Sequence, residues 1–411
     1  MKIVLYKTYI ILAGIILLNT QTNSQNKPGI SAGTELPEAD SILLPDSTTT
    51  IPDLTILSFY QQGWVLPTNT FVKGNNIKQK PINAFRIISL ELSVQTKGEK
   101  LWQQLYNYPI FGAGINTIRF INAPYLGKPV SAYSTLSIPL LRWKSFSLYS
   151  DFGLGLTFNW GSYREDKYNI AIGTGQTLYF NEGFSLEYKS REGLVINAGT
   201  SFTHFSNGSL KVPNRGINIF APKIGLGYNF AESPQEFKTR AVPEYQKHSE
   251  FCFSFFGALR NEYYYGSDVD SITKYKGVYY TAYGISATFN RQISYKSKFG
   301  IGIMADYWGF ANAYITAEDG NLIAHPASFK DGLELSIFPS YELIISRLSL
   351  ILQPGFYLYR IKYPYRTLSA YQRIGLKYNI FENISFAVNM RVHSYSIADY
   401  LEWTIGYRLP L

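Results

Sequence analysis

The chain has 411 residues, enough for one large core or two small domains. Charged residues make up only 16% and aromatics another 16%, with a mean hydropathy of -0.08, whereas soluble proteins carry about 25% charged residues. The net charge of +9 comes without a dense Lys/Arg run, which excludes nucleic acid as a partner and fits scattered loop charge or an anionic headgroup surface.

In chain order, the N-terminus reads as a secretory signal over residues 1–24. Lys2 and Lys7 give the positive region, Tyr9 to Leu18 the apolar stretch, and Thr22 and Ser24 the small residues before a cut. No cysteine stands at the cut, which excludes a lipoprotein, and no other apolar run approaches the ~20 residues of a helical span. Residues 25–57 are rich in Pro, Ser, Thr and Asp and read as a disordered periplasmic leader.

From residue 58 the pattern becomes one of strands and turns. In Ser145–Trp160 the even positions Phe146, Leu148, Phe152, Leu154, Leu156, Phe158 and Trp160 are apolar, and the odd ones are small or polar. Ile384–Val392 and Leu401–Leu409 alternate in the same way, and a period of two puts the two sets on opposite faces. The segments match the roughly 9–11 residues of a membrane-crossing strand rather than the usual 5–6 of soluble sheets. Trp160, Tyr400 and Trp403 near strand ends suit interfacial girdles. The fold class is therefore an all-β, transmembrane antiparallel β-barrel. About eight strands fall in residues 58–230 and about eight in 250–411, separated by a polar, proline-containing linker at 231–249. Lys377–Met390 looks like a weak repeat of Glu187–Thr200. Two architectures fit: two eight-stranded units in tandem, or one barrel of about sixteen strands. Cys252 is the single cysteine, so no intrachain disulfide forms, no Cys/His metal spacing exists, and its thiol packs as a small apolar residue.

Chemistry concentrates in Leu194–Phe230. The even face of its first strand runs Leu194, Ile196, Ala198, Thr200, Phe202 and ends in His204 and Ser206. Two residues apart on a strand, they share a face, as a nucleophile and its general base require. An unperturbed imidazole is half charged near pH 6.5, as suits a general base. Polar groups on a lipid-facing wall cost free energy, and a lipid substrate gives them a reason to be there. In the second half, His393 and Ser394 are adjacent and so point oppositely, which forbids a dyad; His393, Asp399 and Glu402 read as lumen or rim polar groups. No P-loop, dinucleotide fingerprint, nucleophile elbow or metal cluster is present.

The run His204–Asn218 resembles the lipid A 3-O-deacylase (PagL) and acyloxyacyl hydrolase family of outer-membrane barrels over about residues 85 to 230. The matching positions are His204, Ser206, Asn207, Asn214 and Gly216. The resemblance implies an outer-membrane serine esterase, active on lipid A of lipopolysaccharide, with no cofactor. By that likeness Ser206 is the nucleophile, His204 the base, and Asn207 and Asn214 shape the site or donate to the oxyanion. Gly208 and Gly216 let the loop turn. The family carries an acidic third member four residues after the second Asn, and this chain has Asn218 there. Asparagine can orient an imidazole but cannot stabilise imidazolium by charge, so the expectation is a slower enzyme or a carboxylate from elsewhere, for instance Glu187. Asn218 keeps phase with His204 unless Pro222 introduces a bulge. The alternative is a non-catalytic barrel, a pore or structural protein, carrying a relic motif.

Overall fold

A computed structural model describes residues 53–231, 236–361, 368–393 and 397–411, with the side chain of Ile397 left aside. The signal sequence, nearly all of the leader, and Ser394 lie outside these residues. The described chain forms two closed eight-stranded barrels, each an antiparallel meander, so the sixteen-strand alternative falls.

The first barrel comprises β1 (Leu54–Val65), β2 (Ala84–Gln95), β3 (Ile110–Phe120), β4 (Gly127–Trp143), β5 (Phe146–Trp160), β6 (Thr177–Lys189), β7 (Leu194–Ser206) and β8 (Ile217–Asn229). Pairing of β8 with β1 closes it. The second comprises β9 (His248–Glu262), β10 (Val278–Gln292), β11 (Ser297–Trp308), β14 (Leu333–Ile345), β15 (Leu348–Tyr359), β16 (Ala370–Asn379), β17 (Ile384–His393) and β18 (Ile397–Pro410), closed by β18 on β9. A short hairpin, β12 (Tyr314–Glu318) with β13 (Asn321–His325), stands in the β11–β14 connection. β1 begins at Leu54, before the first residue that the alternation of the sequence marks, because Leu54–Leu57 pairs with β2 without alternating in hydropathy.

Both walls obey the period of two. Ile88, Leu90 and Leu92 of β2 and Ile301 and Ile303 of β11 are exposed on the outside. The insides hold the charged groups that hydrocarbon would leave unpaired. Lys223 Nζ meets Asp151 Oδ2 at 2.6 Å in the first barrel. In the second, Arg391 reaches Asp306 at 2.9 Å and Glu402 at 3.2 Å, and Lys298 reaches Glu250 at 2.7 Å. Buried charges persist where they are paired and hydrogen-bonded. His393 belongs here as expected, with Nδ1 at 3.1 Å from Asp399 and Nε2 at 2.9 Å from Tyr357.

Three sequence expectations need correcting. Trp160 is buried in the core of the first barrel rather than in an outer girdle, because Asn159 adopts a φ of 63 and breaks the alternation one residue before it. Tyr400 is fully buried in the second lumen, as its parity opposite to the exposed Trp403 requires. Cys252 faces the second lumen beside Ser254, on the side opposite Phe251 and Phe253, rather than an apolar core.

The barrels lie against each other. At the end where both begin, Ile138, Leu136 and Phe152 of the first pack with Leu343, Tyr341 and Leu350 of the second, and Tyr106 donates to the carbonyl of Ile344 at 2.6 Å. At the opposite, distal end, Lys211 Nζ donates to the carbonyls of Tyr275 and Lys276, and Ser209 Oγ to that of Ala398. Glu182 shares the outward parity of Phe180 and Phe184 on β6, yet is only 2% exposed, and its Oε1 meets no hydrogen-bond donor among the described residues. An unpaired buried carboxylate is destabilising. Glu182→Leu is therefore expected to stabilise the protein by about 1–3 kcal/mol, read as a higher denaturation midpoint with the barrel spectrum unchanged.

Candidate active site

The site grows from the last turn of the β7 ladder. The β7–β8 register runs without interruption from Leu194↔Tyr228 to Phe205↔Ile217, with Pro222 opposite Thr200. Pro222 therefore introduces no bulge between these strands, and Asn218 sits directly across from His204 on the outer face. His204 Nδ1 and Asn218 Oδ1 are 2.7 Å apart. The other end of that amide, Nδ2, donates to Thr68 Oγ1 at 3.0 Å, and Leu66 N–H donates to the Asn218 carbonyl at 2.8 Å. A hydroxyl receiving Nδ2 leaves the amide oxygen to face the imidazole. The His204 Nδ1 then carries the proton and Nε2 is the basic nitrogen.

Ser206, half-buried, is the last residue of β7. Its Oγ receives Asn214 Nδ2 at 2.8 Å and the Gly208 N–H at 3.2 Å. The Asn214 amide oxygen in turn accepts the Asn207 N–H at 3.1 Å. Two N–H donors thus converge on the serine oxygen, next to the carbon that Oγ would attack and so close to where an oxyanion would form. Asn207 is used differently: its side chain is buried and donates Nδ2 to the Lys211 carbonyl at 2.8 Å, tying the loop rather than reaching the serine. Its contribution is to the shape of the loop.

Gly208 and Gly216 both hold positive φ, 63 and 68, in the left-handed region that favours glycine. A Cβ on Gly216 would lie 2.9 Å from His204 Cε1 and 2.9 Å from the Phe205 carbonyl. A Cβ on Gly208 would lie 2.8 Å from Met390 Cε in the second barrel. Gly216→Ala should push the imidazole off Asn218 and lower kcat by about 10²-fold, the order of loss that follows a 1 Å misplacement. Ala at this positive φ also costs stability, so kcat is measured on the folded fraction, with the thermal midpoint read beside it.

Glu187 plays no part. It faces the first lumen opposite Asn197, nine residues and roughly 30 Å down the strand from Ser206. No group of three or more His, Cys, Asp or Glu that could hold a metal occurs among the described residues. Sequence reasoning missed Thr68, Asn69 and the Gly208 N–H. Asn69 Nδ2 donates to the Gly216 carbonyl at 2.8 Å, fixing the glycine that bounds the imidazole. Both loop residues come from the β1–β2 connection, some 150 residues away, and carry no local signal.

Fold and site together define a tandem β-barrel with a serine, a histidine and an amide-rich loop on the outer wall of its first unit. Residues 88–226 match the family model "Lipid A 3-O-deacylase (PagL)", and residues 250–410 match "Acyloxyacyl hydrolase, C-terminal domain". The two matches together take in the second barrel and all of the first except β1 and the ends of β2 and β8, and the chain belongs to this family. No curated protein matches. Similar solved structures include the siderophore receptor PirA from Pseudomonas aeruginosa, at 8% identity over 88% of this chain and 81% of that one, with a TM-score of 0.19. The Pseudomonas putida toluene transporter TodX is 8% identical over 87% and 88%, with a TM-score of 0.17. Pseudomonas aeruginosa OccK5 is 10% identical over 87% and 97%, with a TM-score of 0.20. At these TM-scores the likenesses support no conclusion about this chain.

Proposed function

We propose that this protein is an outer-membrane esterase that removes an ester-linked acyl chain from lipid A, the glycolipid of lipopolysaccharide. One observation carries the reading: a serine and an imidazole held by an amide oxygen project from the outer wall of β7 and β8, where a lipid and not a soluble substrate would meet them. In the proposed cycle His204 Nε2 takes the proton of Ser206 as its Oγ attacks the ester carbonyl. The oxyanion forms beside Asn214 Nδ2 and the Gly208 N–H. The tetrahedral intermediate expels the sugar hydroxyl, which receives the proton from His204. Water then cleaves the acyl-enzyme by the same route and releases a fatty acid. No metal or organic cofactor has a part.

The distal end of the barrels, where the site lies, would face the outside of the cell, with residues 1–24 serving as export signal and 25–57 as periplasmic leader. The pore alternative draws no support from eight-stranded walls, since such interiors are just wide enough for side chains to fill. Here Arg373, Arg391 and Tyr371 occupy the second one. Mass spectrometry of lipid A from a Gram-negative host expressing the wild type should show species lacking one acyl chain. The Ser206→Ala variant should leave the host pattern intact, and equal patterns from the two would sink the proposal.

A further inference from the structure

The second barrel has no site of its own in the reading above, yet its wall stands against the loop that follows the first barrel's serine. A Cβ on Gly208 would lie 2.8 Å from Met390 Cε and 3.7 Å from Leu401 Cβ, and both residues belong by parity to the outer face of β17 and β18. Leu401 is covered to 7% exposure, whereas the next outward residue of β18, Trp403, is 51% exposed. Cover by the first barrel's loop therefore ends there along β18, and beyond Leu401 the outer wall of β18, β9 and β10 lies open. Within it lies a groove of about 320 Å³, lined by Leu210 from the site loop and by Gly257, Leu259, Tyr283 and Trp403 on the second wall.

Three features say what fits. The groove exists because Gly257 lies between Tyr283 and Trp403 in the ladders, and a Cβ there would meet nothing within 4 Å. These outward linings carry no charge, which rejects a phosphate or sugar and accepts hydrocarbon. Its position suits a chain hanging from the serine. Leu210, at its edge, is four residues from Ser206, within about 14 Å along the chain, and Gly257 lies five residues, or about 17 Å, below the distal end of β9.

We infer that the outer wall of the second barrel is the acyl-binding half of the active site, and that the groove around Gly257 holds the hydrocarbon chain of the lipid whose ester sits at Ser206. The inference rests on the esterase reading. It gives the second barrel a catalytic purpose: the first supplies the reacting groups, and the second selects the chain by how much of it the groove can cover. Leu210 joins the two, so the loop that carries Asn214 also closes the groove.

The test uses the full chain in detergent micelles with 4-nitrophenyl butanoate and 4-nitrophenyl tetradecanoate. Gly257→Leu fills the gap and should lower kcat/KM for the tetradecanoate about tenfold or more, mainly through KM, while the butanoate rate stays within twofold. Trp403→Ala, which removes a flank without filling the gap, should also weaken the long ester selectively and leave kcat on the short one. Equal behaviour of wild type and both variants on the long ester, or a parallel fall on both esters, overturns the groove and leaves the esterase standing. A wild type that hydrolyses neither ester overturns both.

Discussion

His204→Ala and Ser206→Ala should each reduce ester hydrolysis by at least about 10³-fold, and the double variant should be no worse than the more damaging single one. Residues that act as one unit in catalysis are grossly non-additive, because once the nucleophile is gone its base has nothing to activate. The residual rate is that of the oxyanion donors and substrate binding, which survive both changes. In the proposed cycle those donors are Asn214 Nδ2 and the Gly208 N–H, and the Asn207 N–H still holds the Asn214 amide when Ser206 is replaced. Folding provides no competing explanation: both side chains are half-buried on the outer face, and the ladder from Leu194 to Phe205 is made by backbone groups. The measurement is steady-state hydrolysis of a nitrophenyl ester by the three purified variants, with circular dichroism to confirm the barrels. Multiplying losses in the double variant would mean that the two residues work independently, and the nucleophile–base assignment would be wrong.

Much of this arrangement was legible in the sequence because a barrel wall is a one-dimensional code. Strand parity decides whether a side chain meets lipid or lumen, and so the alternation in β5, β17 and β18 places Leu154, Met390 and Ile405 outside and Asn389 and Arg391 inside. The same parity set His204 and Ser206 on one face of β7 and turned His393 into the lumen. It failed where the backbone leaves the period, at Asn159, whose positive φ turns Trp160 inward. It was also silent where the informative contacts are not local. Thr68 on Asn218, Asn69 on Gly216 and the covering of Leu401 by the site loop join segments that no spacing rule connects. Closure was similarly invisible. The pairings β1–β8 and β9–β18, which make two barrels of one chain, are decided by which edge each last strand reaches.

Asn218 should be the position where a single substitution raises the rate. In serine hydrolases with a carboxylate third member, exchange for asparagine costs about 10⁴-fold because the amide presents the wrong group and the imidazole adopts the wrong tautomer. That cost does not apply here. The Asn218 amide is anchored by donating Nδ2 to Thr68, so its oxygen faces Nδ1 of His204, as a carboxylate would. What the site lacks is the charge that would stabilise imidazolium as Ser206 attacks. Asn218→Asp supplies it and keeps the geometry, since the Thr68 hydroxyl can turn to donate. The expected gain in kcat is about tenfold, or 1.4 kcal/mol of barrel-wall electrostatics. Asn218→Leu removes both orientation and acceptor, and should lower kcat by about 10²–10⁴-fold with little change in KM. Thr68→Val should fall between wild type and Asn218→Leu, because it frees the amide to flip without deleting it. If Asn218→Asp were slower than wild type while Thr68→Val behaved as wild type, the tautomer argument would fail, and the imidazole would have to be oriented by some other group.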